Sequence, residues 1–219
     1  MIVCPTDSVD FRDVTKENVR QKRVFLERFA EQALTSHAKS DPRADHRLRL
    51  IQLNIINSLT RNSMLLGFEI DWLICASVSP FPYTGHGPKR GTAVACCPEN
   101  LVPTKLQLEV QHHPWVDLLP LPRMRDNFLL AITSILSPDQ EIQLWDDVFE
   151  LSEESDWTGL VVWGEPWDPW NWEVTVPFLR RWGWLLRGCP ELLEATNYWR
   201  CQRGERPIKS GTLVLTEDI

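Results

Sequence analysis

Six of the eleven tryptophans in this 219-residue chain lie between Trp163 and Trp184. Four of them belong to the proline-stiffened run Trp163-Gly-Glu-Pro-Trp-Asp-Pro-Trp-Asn-Trp-Glu173. Tryptophan buries a large apolar area and keeps one N–H, which needs a hydrogen-bond partner when it is buried. Six of them so close together predict either a rigid aromatic core or the wall of an aromatic pocket.

Composition limits both the class of the protein and its partners. A chain of this length with 43% hydrophobic residues can bury a core, and we expect one compact domain. Its net charge of −7 has the wrong sign for binding the phosphate backbone, so we expect no direct contact with nucleic acid. Because no long apolar segment or signal-peptide pattern occurs, we expect no membrane partner and a cytoplasmic location, or a nuclear one if the role is regulatory.

The chain lacks the common motifs that hold metals, nucleotides or hydrolytic nucleophiles. Its six cysteines show no CxxC spacing, and the adjacent Cys96 and Cys97 cannot easily both face one tetrahedral metal. The glycines of Gly85–Gly91 fit neither of the phosphate-binding patterns GxxxxGK[ST] and GxGxxG. The hydrolase motifs GxSxG and HExxH do not occur either. We therefore expect reduced thiols, no metal and no cofactor.

Apolar spacing predicts a mainly α fold. From about Asp45 to Leu66, apolar residues recur every three or four positions, which is typical of a helix buried on most of its circumference. Prolines at first turns and Thr175 as an N-cap indicate further helices. The further predicted helices cover residues 15–34, 68–77, 122–132, 141–151, 176–187 and 190–199.

Two short stretches predict strands. Leu106, Leu108 and Val110 alternate with polar residues, and the apolar run 160–163 is the expected pairing partner. Prolines and glycines dominate 79–104, which predicts a long loop. The predicted fold class is thus mainly α, a single compact helical domain with one short strand pair and a Trp/Pro-rich irregular segment. The predicted divisions are 1–40, an N-terminal charged helix, 41–205, the helical Trp-rich domain, and 206–219, a C-terminal tail.

The segment from His112 to Asp117 places histidine near a carboxylate. Such a pair can transfer protons, because the pKa of histidine lies near neutrality and the carboxylate orients the ring. The same pattern also suits a turn in which histidine caps backbone groups and Trp115 packs, and the lack of a nucleophile favours that interpretation. Likewise, Arg125 and Glu173 beside aromatic residues suit either substrate positioning or charge pairing at the edge of a core.

Six blocks with rare Trp and Pro positions follow one another along residues 45–205. They are 113–117 (His-Pro-Trp-Val-Asp), 119–127, 163–169 (Trp-Gly-Glu-Pro-Trp-Asp-Pro), 172–173, 178–184 and 194–200. Together they resemble a fungal domain of unknown function that commonly follows a bZIP region in proteins classed as transcription factors. The resemblance implies kinship and no particular activity.

This chain departs from the bZIP-associated pattern at its N-terminal end. Asn18 and Phe25 stand where a fungal basic region has its asparagine and aromatic residue, but Gln21 and Leu26 replace its alanine and arginine. No leucine heptad follows Leu34. We therefore expect a stand-alone domain without a basic region or zipper.

The leading hypothesis is an enzyme of fungal secondary metabolism, the setting that the resemblance implies for stand-alone members. An aromatic cavity without a cofactor suits a hydrophobic small-molecule substrate, and a chain folded by stacking can cyclise without a nucleophile. We thus expect a cofactor-independent cyclase or isomerase, in particular a pericyclase such as a Diels–Alderase. Its predicted substrate-binding residues are Trp163, Trp167, Trp172, Trp182 and Glu173, and its predicted catalytic residues are His113, Asp117 and Arg125.

The alternative hypothesis is a transcription-associated regulatory or partner-binding module without its own DNA-binding region. It predicts an exposed apolar patch in place of an enclosed cavity. A third interpretation makes all the tryptophans core and places the active surface elsewhere. The sequence sets no oligomeric state for any of the three.

Overall fold

The computed structural model describes residues 44–68, 77–84, 97–149 and 159–209, and these form a mainly α fold with one small antiparallel sheet. The predicted fold class is confirmed. The α-helices are α1 (Ala44–Leu66), α2 (Phe81–Thr84), α3 (Lys105–Glu109), α4 (Pro122–Ser134), α5 (Pro138–Phe149), α6 (Val176–Trp182) and α7 (Pro190–Gln202). The strands are β1 (Leu160–Val162) and β2 (Trp172–Val174), and short 3-10 helices cover Glu99–Leu101, Pro114–Leu118, Pro169–Asn171 and Gly183–Leu186.

Several predicted segments lie outside the described residues. They are the charged helix within 1–40, most of the helix over 68–77, the middle of the 79–104 loop and the end of the tail that begins at 206. In the described part of the chain, no helix combines the length and apolar character that a membrane crossing requires.

Helix α1 confirms the prediction from apolar spacing. Its Ile55, Leu59 and Leu66 are buried, and the helix packs against β1 and the 3-10 helix Pro114–Leu118. The buried Asn62 side chain donates to the carbonyl oxygens of Leu118 (2.8 Å) and Pro166 (2.9 Å). Since a buried amide without partners is costly, these bonds fix the start of the tryptophan run against α1.

The sheet pairs β1 with β2, with Leu160 opposite Val174 and Val162 opposite Trp172. A strand at 160–162 is therefore confirmed, but its partner lies inside the tryptophan run. On the far side of β2, the buried Thr196 hydroxyl of α7 accepts a hydrogen bond from Val174 N at 3.0 Å. This contact joins α7 to the sheet and fixes the position of the helix that follows the run.

The strand predicted at 106–110 is wrong, because residues 105–109 form α3. Thr104 caps this helix: its hydroxyl accepts from Gln107 N (3.2 Å), and the Gln107 side chain accepts from Thr104 N (2.9 Å). Such a capping box satisfies two otherwise unpaired N–H groups and stabilises a helix start. The alternation of Leu106 and Leu108 covers too few residues to outweigh it.

Candidate functional site

Arg125, one of the predicted catalytic residues, is fully buried at the start of α4. Its guanidinium donates to four backbone carbonyls, those of Asn100 (3.1 Å), Val102 (2.7 Å), Asp117 (3.5 Å) and Leu119 (3.2 Å). Burial lowers the pKa of Arg125 to about 10, although the charges of Asp117 and Asp126 oppose this shift. Arg125 thus holds the 99–102 segment and the 114–119 turn to α4.

Asp117, a second predicted catalytic residue, is also fully buried. Its carboxylate accepts from His112 Nε2 at 2.7 Å and from the amide of Gln107. His112 Nδ1 lies 2.6 Å from the carbonyl oxygen of Val110. Because both ring nitrogens face acceptors, only the imidazolium form donates to both.

The pKa of His112 agrees with this geometry. Burial lowers it, and so does the Arg125 charge, but the hydrogen bond to Asp117, the Asp117 charge and the hydrogen bond to the Val110 carbonyl together raise the pKa above its ordinary value. His112 and Asp117 therefore form a buried ion pair beside Arg125. Sequence reasoning placed the catalytic histidine at His113 and did not single out its neighbour.

His113 lies outside this pair and is half-buried. Its Nδ1 accepts from Trp115 N at 3.4 Å at the start of the 3-10 helix Pro114–Leu118. Its ring contacts the ring of Trp145 edge to face, with centroids 5.4 Å apart. The capping turn that the sequence suggested for this segment is present, and a catalytic role for His113 stays a prediction.

The predicted pocket-wall tryptophans divide between core and surface. Trp172 is fully buried and donates from Nε1 to the Pro166 carbonyl oxygen at 2.9 Å. Trp182 is buried and donates to the Asp147 carboxylate at 2.6 Å. Trp167 is half-buried, with the Arg61 guanidinium 5.6 Å from its ring centroid. The run is thus partly core.

The side chains of Trp163, Tyr198 and Trp199 lie together on the surface between the run and α7, and the exposed Trp170 joins them through its backbone. Trp163 stacks on Trp199 with ring centroids 5.4 Å apart and an interplanar angle of 23°, and Tyr198 contacts the Trp199 ring at 5.2 Å. Trp199 Nε1 donates to the backbone oxygen of Trp170 at 2.8 Å, which ties the fourth residue to the others. We call Trp163, Trp170, Tyr198 and Trp199 the aromatic face.

A buried carboxylate anchors the aromatic face. Glu173 accepts from Trp163 Nε1 at 2.8 Å and receives two bonds from Arg203, at 2.8 and 2.5 Å. The Arg203 guanidinium also lies 5.1 Å from the Trp163 ring centroid, within range of a cation–π interaction. Hydrogen bonds to Glu173 raise the pKa of Arg203. Trp163 is therefore held by both its N–H and its ring.

Sequence reasoning found only part of this surface. It selected Trp163 and Glu173, which the structure joins by a hydrogen bond, but it did not include Trp199 or Arg203 among the site residues. The available signal was the spacing of Trp199 and Arg203, since residues four apart share one side of a helix and its end.

Residues 86–193 match the model of a domain of unknown function, DUF3425. The predicted resemblance to a domain of unknown function is confirmed over these residues. Trp163 and Trp170 lie within the matched residues, and Tyr198 and Trp199 follow shortly after them. No curated protein and no solved structure matches the chain.

The described residues also include titratable side chains away from the aromatic face. Among the described residues, no group of three His, Cys, Asp or Glu side chains is placed to hold a metal ion. The described cysteines that are free are Cys97, Cys189 and Cys201. Burial raises the pKa of the Cys189 thiol to about 12, which makes it a poor nucleophile near neutral pH.

Proposed function

We propose that this chain is a regulatory, partner-binding module that docks a protein segment on the aromatic face. The observation that carries the proposal is the exposure of that face: Trp163 is 42% exposed, and Trp170 and Tyr198 are each 51% exposed. Exposed apolar patches mark interaction sites, and Trp, Tyr and Arg are enriched among the residues that dominate binding energy.

The rigidity of the face supports a binding role. Both N–H groups of the stacked pair Trp163 and Trp199 are hydrogen-bonded, and Arg203 is held by two bonds to Glu173. A partner therefore meets side chains that are already ordered, so docking costs less conformational entropy. An exposed patch of this kind is also what the regulatory hypothesis requires.

The polar residues that suggested catalysis have structural contacts that occupy them. Arg125 bonds four carbonyl groups, and the Asp117 carboxylate bonds His112 and Gln107. A group that reacts with substrate must reach it, whereas these side chains are fully buried. The resemblance to a domain that follows bZIP regions agrees with a regulatory role.

Affinity capture followed by footprinting tests the proposal. The immobilised full chain is used to capture proteins from a fungal extract, the source that the resemblance implies, and the captured partner is then purified. Hydroxyl-radical footprinting of the complex should protect Trp163, Trp170 and Tyr198. Tyr83 on α2, which is 70% exposed, is the matched control and should stay reactive. Equal reactivity of the face with and without partner would contradict the proposal.

A cofactor-independent cyclase or isomerase is the second candidate, and one observation favours it. Glu173 and Arg203 hold an acceptor and a donor in fixed positions beside the exposed ring of Trp163. A hydrophobic small molecule at the exposed part of that ring would meet the Arg203 guanidinium, which Glu173 holds in place. The test is to incubate the chain with fungal pathway intermediates and search by mass spectrometry for an isomer of unchanged mass. Conversion at the rate without protein would exclude this candidate for those compounds.

A further inference from the structure

We infer that the aromatic face binds an extended, proline-rich peptide that carries an acidic residue beside its prolines. This inference rests on the proposed function and names the chemistry of the partner. It follows from two open donors on the face and from the basic side chains of the segment that follows Tyr198 and Trp199 along the chain.

Two polar groups of the face point to an extended peptide. Within the described residues, neither Trp170 Nε1–H nor the Tyr198 hydroxyl has a hydrogen-bond partner, whereas the N–H groups of Trp163 and Trp199 are both occupied. The face therefore offers four rings but only two side-chain donors. A polyproline II segment has no internal hydrogen bonds, so its carbonyl groups can accept from such donors.

The form of the surface also favours proline over a helical ligand. Proline-rich segments dock between aromatic side chains, and their preformed backbone loses little entropy on binding. An amphipathic helix satisfies most of its carbonyl groups internally and would leave Trp170 and Tyr198 without acceptors. A helical ligand would thus contact the rings but would leave the two donors without hydrogen bonds.

The segment that follows Tyr198 and Trp199 along the chain is rich in basic side chains. Residues 198–209 contain four basic side chains and one acidic side chain, in a chain whose net charge is −7. Reciprocal bonds between Asn197 and the Ile208 backbone, at 3.0 and 2.6 Å, hold this segment against α7. The exposed Arg206 and Lys209 therefore belong to a segment that is bonded to Asn197, the residue before Tyr198, whereas the carboxylate of Asp168 accepts from Trp170 N.

The excess of basic side chains favours an acidic residue beside the prolines of the peptide. Such a residue can pair with Arg206 and Lys209, whereas a basic residue there would meet like charge. Exposed charges at an edge contribute more to specificity and association rate than to affinity. We therefore expect the acidic flank to improve binding and the preference to weaken at high salt.

Fluorescence anisotropy with the full chain tests the inference. Three labelled peptides are compared: a run of about nine prolines, three turns of polyproline II, with two aspartates, the same run with two lysines, and an alanine-rich helical peptide with two aspartates. We expect the aspartate–proline peptide to bind most tightly. Equal or tighter binding of the helical peptide would overturn the inference.

Variants that keep an aromatic ring but lack the polar group test the two donors. Trp170→Phe and Tyr198→Phe each remove one donor from an exposed ring, and each should weaken binding by about two- to tenfold, the range of one hydrogen bond. Tyr83→Phe is the control and should leave binding unchanged. Undiminished binding by both face variants would overturn the inference. If a captured partner needs the face but the proline peptides do not bind, this inference fails and the proposed function stands.

Discussion

His112 donates to Asp117 across 2.7 Å inside the core, where the His112 side chain is 1% exposed and the Asp117 side chain is fully buried. The opposite ring nitrogen faces the Val110 carbonyl oxygen, and Arg125 is the further charged group that influences His112. A buried imidazolium in this position makes stability depend on pH.

The free energy of unfolding should fall as pH rises through the folded-state pKa of His112. Because this pKa is raised, the contribution is fully present below the unfolded value of about 6.5 and is lost above the folded value. Urea denaturation at a series of neutral and alkaline pH values measures this contribution to the free energy of unfolding. His112→Gln should remove this part of the pH dependence, while His113→Gln should keep it. The same slope in both variants would contradict the ion pair.

Arg125→Lys should destabilise the fold although it keeps the positive charge. An ammonium group cannot reach four carbonyls held in a fixed arrangement by a planar guanidinium, so buried acceptors would lose their partners. We expect a loss of about 3 kcal/mol in chemical denaturation. Arg123→Lys, at an exposed position of the same helix, should change stability by less than about 0.5 kcal/mol. Similar losses of stability in both variants would contradict this role of the four Arg125 hydrogen bonds.

Trp172 and Trp170 lie two residues apart, yet their substitution should have opposite consequences. Trp172→Ala removes a fully buried side chain and should cost about 3–5 kcal/mol of stability. Trp170→Ala removes a half-exposed ring and should cost less than about 1 kcal/mol while weakening partner binding. Thermal unfolding and a binding assay on the same two proteins distinguish core from surface. Comparable destabilisation by both would show that the run is all core.

Gly159 marks a close approach between the start of β1 and the end of α5. A Cβ atom there would lie 1.8 Å from the Asp147 carbonyl oxygen, so Gly159→Ala requires a backbone shift. We expect a loss of at least about 2 kcal/mol in chemical denaturation. Gly67→Ala is the comparison: nothing lies within 4 Å, and its positive φ of 72° should cost only about 1 kcal/mol. A smaller effect at Gly159 than at Gly67 would contradict this packing.

The sequence predicts the elements that local physics determines. The apolar spacing of α1 and the Thr175 cap of α6 each act within one helix, so both helices can be predicted from the sequence alone. Strand β2 cannot be predicted in this way, because a three-residue strand inside a Trp/Pro-rich run forms only through its pairing with β1. For α3, the sequence contains both the capping signal at Thr104 and a short alternation of apolar residues, and the local capping signal is the one that the structure follows.

The candidate site shows the same division. Trp163 and Glu173 lie ten residues apart and are both predicted site residues, but the burial of Trp172 and the exposure of Trp170 depend on how α7 packs against the run. The partners that Trp163 meets in and after α7, Trp199 and Arg203, lie more than thirty residues away in sequence. Tertiary packing decides which tryptophans are core, and residue type alone does not.

The affinity of the captured partner for a Trp170→Ala, Tyr198→Ala double variant tests the central claim most directly. If the aromatic face is the binding surface, the double variant should keep its fold and bind at least about tenfold more weakly, as expected when exposed aromatic residues dominate an interface. A Tyr83→Ala variant should bind as the unchanged chain does. An unchanged dissociation constant for the folded double variant would contradict the claim.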